Sequence, residues 1–310
     1  MATTSLNAPT PMLRGSARRR RKERFVRVVF QAAALFSLAV SLAIVLVLFG
    51  EAISWLTKVD LSRLWADGWF PRRNEFDLLT LLFGTLLISA IALAIAAPLG
   101  LGAALFLSEY ASPRARRILK PILEVLAGIP SVVLGYFALT VIAPDLVRRV
   151  FDSASTFSYL AAGIAVGILT IPLIASVAED AMFAVPRSLR EAAYGIGARR
   201  GTVAVRVVFP AAVSGIVASL ILGISRAIGE TMVVAIAAGA TGGALRTLNP
   251  LEGGQTMTGA ISSLAIGSDQ VQGSTLAFPS LYFVGAVLFI LTFTLNMISE
   301  RFVRRFRKEL

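Results

Sequence analysis

The chain has 310 residues, of which 56% are hydrophobic and 15% charged, with a mean hydropathy of +0.77 and a net charge of +12. A soluble globular domain carries roughly 25% charged residues, and a disordered chain is poor in apolar ones, so both classes are excluded. What remains is a polytopic membrane protein.

Histidine and cysteine are absent, which removes disulfides, thiol chemistry, zinc sites and histidine acid–base or proton-relay chemistry. Lysine occurs only at Lys22, Lys58, Lys120 and Lys308, none in a phosphate-binding Gly-x-x-x-x-Gly-Lys-Ser/Thr loop. If ATP drives this protein, another subunit binds it. No nucleophile–base set and no metal-ligand cluster is visible, so neither a catalytic centre nor a metal site is expected in this chain.

In chain order, a basic tail over 1–28 carries Arg18, Arg19, Arg20, Arg21 and Lys22. It precedes a long apolar stretch, so it reads as a topology signal at a lipid surface rather than as a nucleic-acid patch. Six stretches then reach the length of about 20 apolar residues that a bilayer requires: 29–50, 78–108, 121–144, 157–178, 211–240 and 276–299. The first exceeds a signal-peptide core, and no small-x-small cleavage pattern follows it, so it reads as an uncleaved helix. Pro98, Pro130 and Pro172 are expected inside spans. The loop 51–77, with Trp55, Trp65, Trp69 and Phe70, reads as an interfacial segment with aromatic anchors. The loop 241–275 is rich in Gly, Ser and Thr and should form turns with a short helix.

Of the basic residues, 22 fall in 1–28, 109–120, 179–210 and 300–310, and seven in the intervening loops. That bias places both termini in the cytoplasm. The expected architecture is an all-α membrane protein of six transmembrane helices: a cytoplasmic tail 1–28, a transmembrane domain 29–300 and a second basic tail 301–310.

Three features carry functional information. The cytoplasmic segment 186–210 has Ser188 and Glu191 at capping-box spacing. Leu189, Ala192, Ala193 and Ile196 then form one apolar face, and Gly195, Gly197 and Gly201 weaken and end the helix. The residues predict a short amphipathic surface helix, resting either on headgroups or on another protein. In the fifth span, Ala211, Gly215, Ser219, Gly223, Ala227, Thr231, Ala235 and Gly239 form a period-four stripe of small residues for close helix packing. Arg226 and Glu230 lie four residues apart on that same helix. A charge in mid-span costs about 2.5–3.5 kcal/mol on insertion scales, so the pair should face the bundle interior or a water-filled path. It reads as a structural ion pair or as part of an anion path, with the arginine offering a planar fork of donors.

Glu191-Ala192-Ala193, then Gly197, then Val-Val-Phe-Pro ending at Pro210, resembles the EAA loop of type I ABC importer permeases, with Val207 and Phe209 as mild departures. The segment ILGISRAIGETMVV at 221–234, with its Arg226-Ala-Ile-Gly-Glu230-Thr231 core, resembles the signature of PstC-type permeases of phosphate importers. AGIPSVVLGYFAL at 127–139, Trp65, Trp69 and Pro71, and LYFVGAVLFILTFTLN at 281–296 extend the likeness from about residue 60 onward. FDLLTLLFGTL at 76–86 keeps Gly84-Thr85-Leu86 but departs from the family's lead-in. The resemblance implies the type I ABC importer permease fold in a multi-pass bacterial plasma-membrane protein. It implies a PstA-like permease partner, an ATPase dimer that holds ATP and Mg, and an extracytoplasmic phosphate-binding protein. Glu191, Ala192, Ala193, Gly197 and Pro210 would then contact the ATPase, and Arg226 and Glu230 would line the substrate path. This chain itself would hold no cofactor.

The nearest rival reading is a permease for molybdate, tungstate or sulfate. A stand-alone secondary transporter is opposed by the EAA loop and by the lack of an intramembrane aspartate or of any histidine. A sensor reporting phosphate status to a kinase is compatible with transport. A membrane enzyme is the weakest reading. Glu124 is given a packing or capping role by default.

Overall fold

The structure is a computed structural model that describes residues 17–65, 68–239, 243–266 and 276–307, with side chains between 21 and 301. The first part of the basic tail, 1–16, lies outside the described residues. Contacts divide the chain into two compact units, Met1–Leu48 and Phe49–Leu310.

Helix α1, Ala17–Leu56, is 40 residues long. In the first unit its side chains from 21 to 44 are exposed all round, with Phe25, Phe30 and Phe36 each about 70% exposed. A helix that is apolar on every side and covered by nothing in its own unit has the surface of a lipid-facing span.

The second unit is a helix bundle. Asp77 starts α2 (Leu78–Leu105) by accepting the Leu79 N–H at 3.1 Å, and a π-turn, Phe106–Tyr110, extends it. Helix α3 spans Pro113–Ala127 and is capped by Ser112, which accepts from the Ala115 N–H at 3.2 Å. Helix α4 runs over Ser131–Val150 with a π stretch, Ala138–Val147. Helix α5, Tyr159–Phe183, is central and the most buried span, lined by Ala161, Ala162, Ala165 and Ala175. The short α6, Arg187–Gly195, lies outside the bundle. Helices α7 (Arg200–Ala211) and α8 (Val213–Ile228) meet at Ala212 with a bend of 74°. Helix α9, Met232–Val234, continues as a π-turn, Ala235–Gly239. Helix α10 is Met257–Ile266, and α11 is Ser280–Arg307.

Among the described residues five helices are long and apolar enough to cross a bilayer, and six when the bent α7–α8 pair counts as one span. Pro98 and Pro172 lie inside α2 and α5 as expected. The small-residue stripe also packs as expected as far as Ala227. Ser219, Gly223 and Ala227 are buried, and a Cβ on Gly215 would sit 2.2 Å from the Ala181 Cβ of α5.

Three expectations are corrected. The third span, 121–144, is not one helix. Gly128 ends α3, and Pro130 (φ −58°, ψ 129°) opens α4 as its N-cap, because proline cannot donate to the preceding turn and disfavours helix in its predecessor. The fifth span, 211–240, is broken: the chain leaves helix at 229–231 and resumes in α9. Gly229 supplies little helix propensity there. The outer tryptophans are not a belt, apart from Trp65, which is 69% exposed. Trp55 and Trp69 are 1% exposed. Trp55 stacks on Phe283 at 4.9 Å, meets Phe76 edge-on at 5.0 Å and donates its indole N–H to the Leu276 carbonyl at 2.8 Å.

These aromatics sit under a small antiparallel sheet of β1 (Gly68–Phe70), β2 (Glu75–Phe76) and β3 (Ala244–Leu245), in the order β2-β1-β3. Its register pairs Trp69 with both Phe76 and Ala244. The short helix expected within 241–275 is α10. Its Met257 N–H donates to Thr85 Oγ1 of α2 at 3.0 Å.

Candidate substrate path and coupling segment

Arg226 lies in the last turn of α8, and Glu230 lies in the break that follows. The Arg226 Nη2 is 3.4 Å from the Glu230 Oε2, with side-chain exposures of 47% and 4%. The break holds the carboxylate. Its other oxygen, Oε1, accepts the Val233 N–H at 3.5 Å, and the Glu230 main-chain carbonyl accepts from Thr258 Oγ1 at 2.7 Å. The guanidinium is therefore tethered on one side only. A guanidinium has five N–H donors, and among the described residues Glu230 is the ion-pair partner of Arg226. Its side chain is half-exposed, so the guanidinium is not enclosed by the protein. Beside it, Ser225 Oγ donates to Asn296 Oδ1 of α11 at 3.0 Å.

The surface helix α6 forms where the sequence places it, but not with the cap that the sequence suggests. Pro186 is the N-cap, no side chain caps the helix, and Ser188 is already inside it. The capping box is overturned because the helix begins at Arg187, two residues before a Ser188 cap would allow. The C-terminus is a Schellman turn. The Gly197 N–H donates to the Tyr194 carbonyl at 2.9 Å, and the Ala198 N–H to the Ala193 carbonyl at 3.1 Å. Gly197 has φ +82°, a left-handed conformation that glycine adopts without strain.

Glu191 and Ala192 are exposed. Of the predicted apolar face, only Ala193 packs onto the body, against a cluster that includes Ala104, Met182 and Val203. Leu189 is 46% exposed and Ile196 88%. Pro210 is exposed but lies in the last turn of α7, beside the bend at Ala212, and not on α6. The residues predicted to couple thus split between the surface helix with its C-terminal turn and the neighbourhood of the Ala212 bend.

Two polar clusters were not singled out by sequence reasoning. The fully buried Glu179 of α5 pairs with Arg116 and with Lys120, whose Nζ is 2.9 Å away; Lys120 also pairs with Asp180. Burial pushes the Lys120 pKa down, but hydrogen bonds to Asp180 and Glu179 outweigh it and leave the value raised. The available signal was a basic pair four residues apart on amphipathic α3, with two adjacent acids near the end of α5. Glu124 is exposed on the rim of a cavity of about 590 Å³, together with Arg117, Phe183 and Arg187. The second cluster joins Glu109, at the end of α2, to Arg190 of α6.

Among the described residues the chain is a bundle of long apolar helices, some of them broken, with an exposed surface helix and a charge pair at a helix break. Solved structures share the fold. An inward-facing MetNI methionine ABC transporter matches 74% of this chain and 94% of its own, at 19% identity and a TM-score of 0.53. A bacterial ABC transporter involved in the import of the acidic polysaccharide alginate matches 91% of this chain and 99% of its own, at 15% identity and a TM-score of 0.57. The fold is that of type I ABC importer permeases.

Residues 96–308 match the family described as binding-protein-dependent transport system inner membrane component. The phosphate transport system permease protein PstC of Pasteurella multocida is 31% identical over 281 residues, spanning 84% of this chain and 85% of the relative. That of Mesorhizobium japonicum is 33% identical over 293 residues, spanning 89% and 88%. The probable ABC transporter permease protein YqgH of Bacillus subtilis is 33% identical over 253 residues, spanning 76% and 81%. The chain belongs to the binding-protein-dependent transport system inner membrane component family and, within it, to the PstC-type permeases. It is a multi-pass inner-membrane permease subunit.

Proposed function

We propose that this chain is one of two permease subunits of an ATP-driven importer of inorganic phosphate in the bacterial plasma membrane. The observation that carries the reading is Arg226, half-exposed at a helix break and held from one side by a buried glutamate. The names of the PstC relatives support phosphate as the substrate.

The chemistry follows from that geometry. A divalent oxyanion entering a low-dielectric passage meets a large desolvation barrier, and a guanidinium fork lowers it by charge-assisted hydrogen bonds. A transport site must also release its cargo. Glu230, fixed by the Val233 N–H, offsets part of the Arg226 charge and keeps retention weak. It also offers an acceptor to a phosphate hydroxyl, which sulfate at neutral pH lacks.

A PstA-like subunit supplies the other half of the path, and an extracytoplasmic phosphate-binding protein delivers the cargo. Both termini and α6 face the cytoplasm. The exposed Leu189, Glu191, Ala192 and Ile196 dock in the ATPase subunit, which binds ATP and Mg and hydrolyses the nucleotide. Closing and opening of the ATPase dimer moves α6 and rocks the helices between outward- and inward-facing states. This chain binds no cofactor in that scheme; it lines the path and transmits force.

The test is uptake of labelled phosphate at micromolar concentration in cells with and without this chain, challenged with excess sulfate and molybdate. Loss on deletion, without competition from either anion, is expected. Loss of molybdate or sulfate uptake instead would keep the architecture and overturn the substrate.

A further inference from the structure

Arg190 points from the surface helix α6 into the body of the bundle. Its Nη2 lies 2.9 Å from Glu109 Oε1, with side-chain exposures of 16% and 4%. Its Nε donates to the same oxygen at 3.3 Å. Nη2 also donates to the Met182 carbonyl at 2.8 Å, and Nη1 donates to the Val185 carbonyl. One guanidinium therefore grips the π-turned end of α2 and the end of α5 together. Among the described residues this is the ion pair that joins α6 to α2.

Residues 184–186 alone link α6 back to α5, whereas no short stretch of chain links it to α2, so the Glu109 pair is what ties it there. The forward chain takes a longer course. It leaves through the left-handed Gly197, passes Gly201 and turns 74° at Ala212. A planar fork with several simultaneous acceptors fixes orientation as well as distance. Helix α5 in turn contacts α8 through Ala181 and Gly215, and α8 carries Arg226.

We propose that Arg190 and Glu109 are positioning residues that form a clasp, through which displacement of α6 is passed directly to α2 and α5 and so to the helix bearing Arg226. This rests on the reading of α6 as the ATPase-docking helix. The clasp touches neither cargo nor nucleotide. Its loss should let the ATPase run without moving the path.

The experiment uses the complete complex in proteoliposomes: this chain, its permease partner, the ATPase and the binding protein. ATP hydrolysis and labelled phosphate uptake are measured in the same vesicles. The variants are Arg190→Gln, Glu109→Gln, the double variant and Arg190→Lys. Uptake per ATP is expected to fall in each glutamine variant by roughly 5- to 150-fold, the usual span of coupling between sites. Hydrolysis and ATPase co-purification should persist. The double variant should be no worse than the poorer single, since each single already removes the Arg190–Glu109 pair, and Arg190→Lys should recover part of the ratio.

An unchanged ratio in assembled variants overturns the clasp. So does failure of all four variants to assemble, which would make the pair a folding element. A wild-type complex that takes up no phosphate on ATP hydrolysis instead overturns the functional reading, and the clasp with it.

Discussion

Thr258 donates its hydroxyl proton to the main-chain carbonyl of Glu230 at 2.7 Å. The donor sits on the short helix α10, and the acceptor sits in the gap between α8 and α9. A carbonyl freed by a broken span has no water to accept from in a hydrocarbon layer and needs an internal partner. Thr258 is that partner, so α10 props the break open at the point where the charge pair lies.

Replacing Thr258 by valine removes the donor and keeps the shape. Leaving a buried acceptor unsatisfied costs about 1–3 kcal/mol. Uptake should fall in step with a lower melting temperature, whereas Thr258→Ser should retain both. A valine variant that melts and transports like the parent would remove α10 from the account of the site.

Arg226→Ala should cut phosphate uptake by roughly 10- to 150-fold, matching the 1.5–3 kcal/mol of a hydrogen bond to a charged group. Complex assembly and cargo binding by the soluble receptor should persist, as checked by co-purification and by receptor titration. Normal uptake would reduce Arg226 to a structural ion.

Glu230→Gln should separate binding from release. The Arg226 charge is then unopposed, so KM for uptake should fall together with the maximal rate. A raised KM would mean that the carboxylate assists entry rather than release.

Arg116→Ala combined with Lys120→Ala leaves the fully buried Glu179 without its partners, a change of about 3–5 kcal/mol when a buried pair is broken. Thermal unfolding of the purified protein should show it. The Lys120 contribution also has a pH signature. Its pKa is raised in the fold, so the stabilisation is complete below the ordinary lysine range and is lost as pH climbs through the raised value. Melting temperature should therefore show no Lys120-dependent change across neutral pH.

Gly197→Val should weaken ATPase co-purification, because a β-branched residue at φ +82° is strained and α6 would lose its Schellman stop. Glu191→Lys, on an exposed position, should do the same without changing stability. Undisturbed association in both would sink the docking surface.

What the sequence made legible follows from periodicity. Apolar run lengths located the spans, and the 3.6-residue pattern located α6. The period-four stripe correctly packed Gly215, Ser219, Gly223 and Ala227, yet it also ran on through Thr231, Ala235 and Gly239 and hid the break at 229–231. A small-residue pattern is blind to such a break, because Thr231 fits the stripe and the freed carbonyl is satisfied by Thr258, distant in sequence. Pro130 follows Gly128 and starts a helix, whereas Pro172, with no glycine beside it, stays inside one. Arg226 and Glu230 were found because they are four residues apart. Glu109 and Arg190 are 81 residues apart, and no local pattern joins them. Trp55 and Trp69 misled because aromatic residues beside a span serve equally as lipid anchors or as core.

The elbow at Ala212 has a mechanical meaning. The arm on its near side, Arg200–Ala211, is a dozen residues, about 18 Å at helical rise, and stands at 74° to the span that follows. Two arms set nearly square at a joint have the outline of a bell crank. Under the proposed docking of α6, a thrust along the first arm would reach the second as a sideways displacement. Arg226 stands at the far end of that second arm.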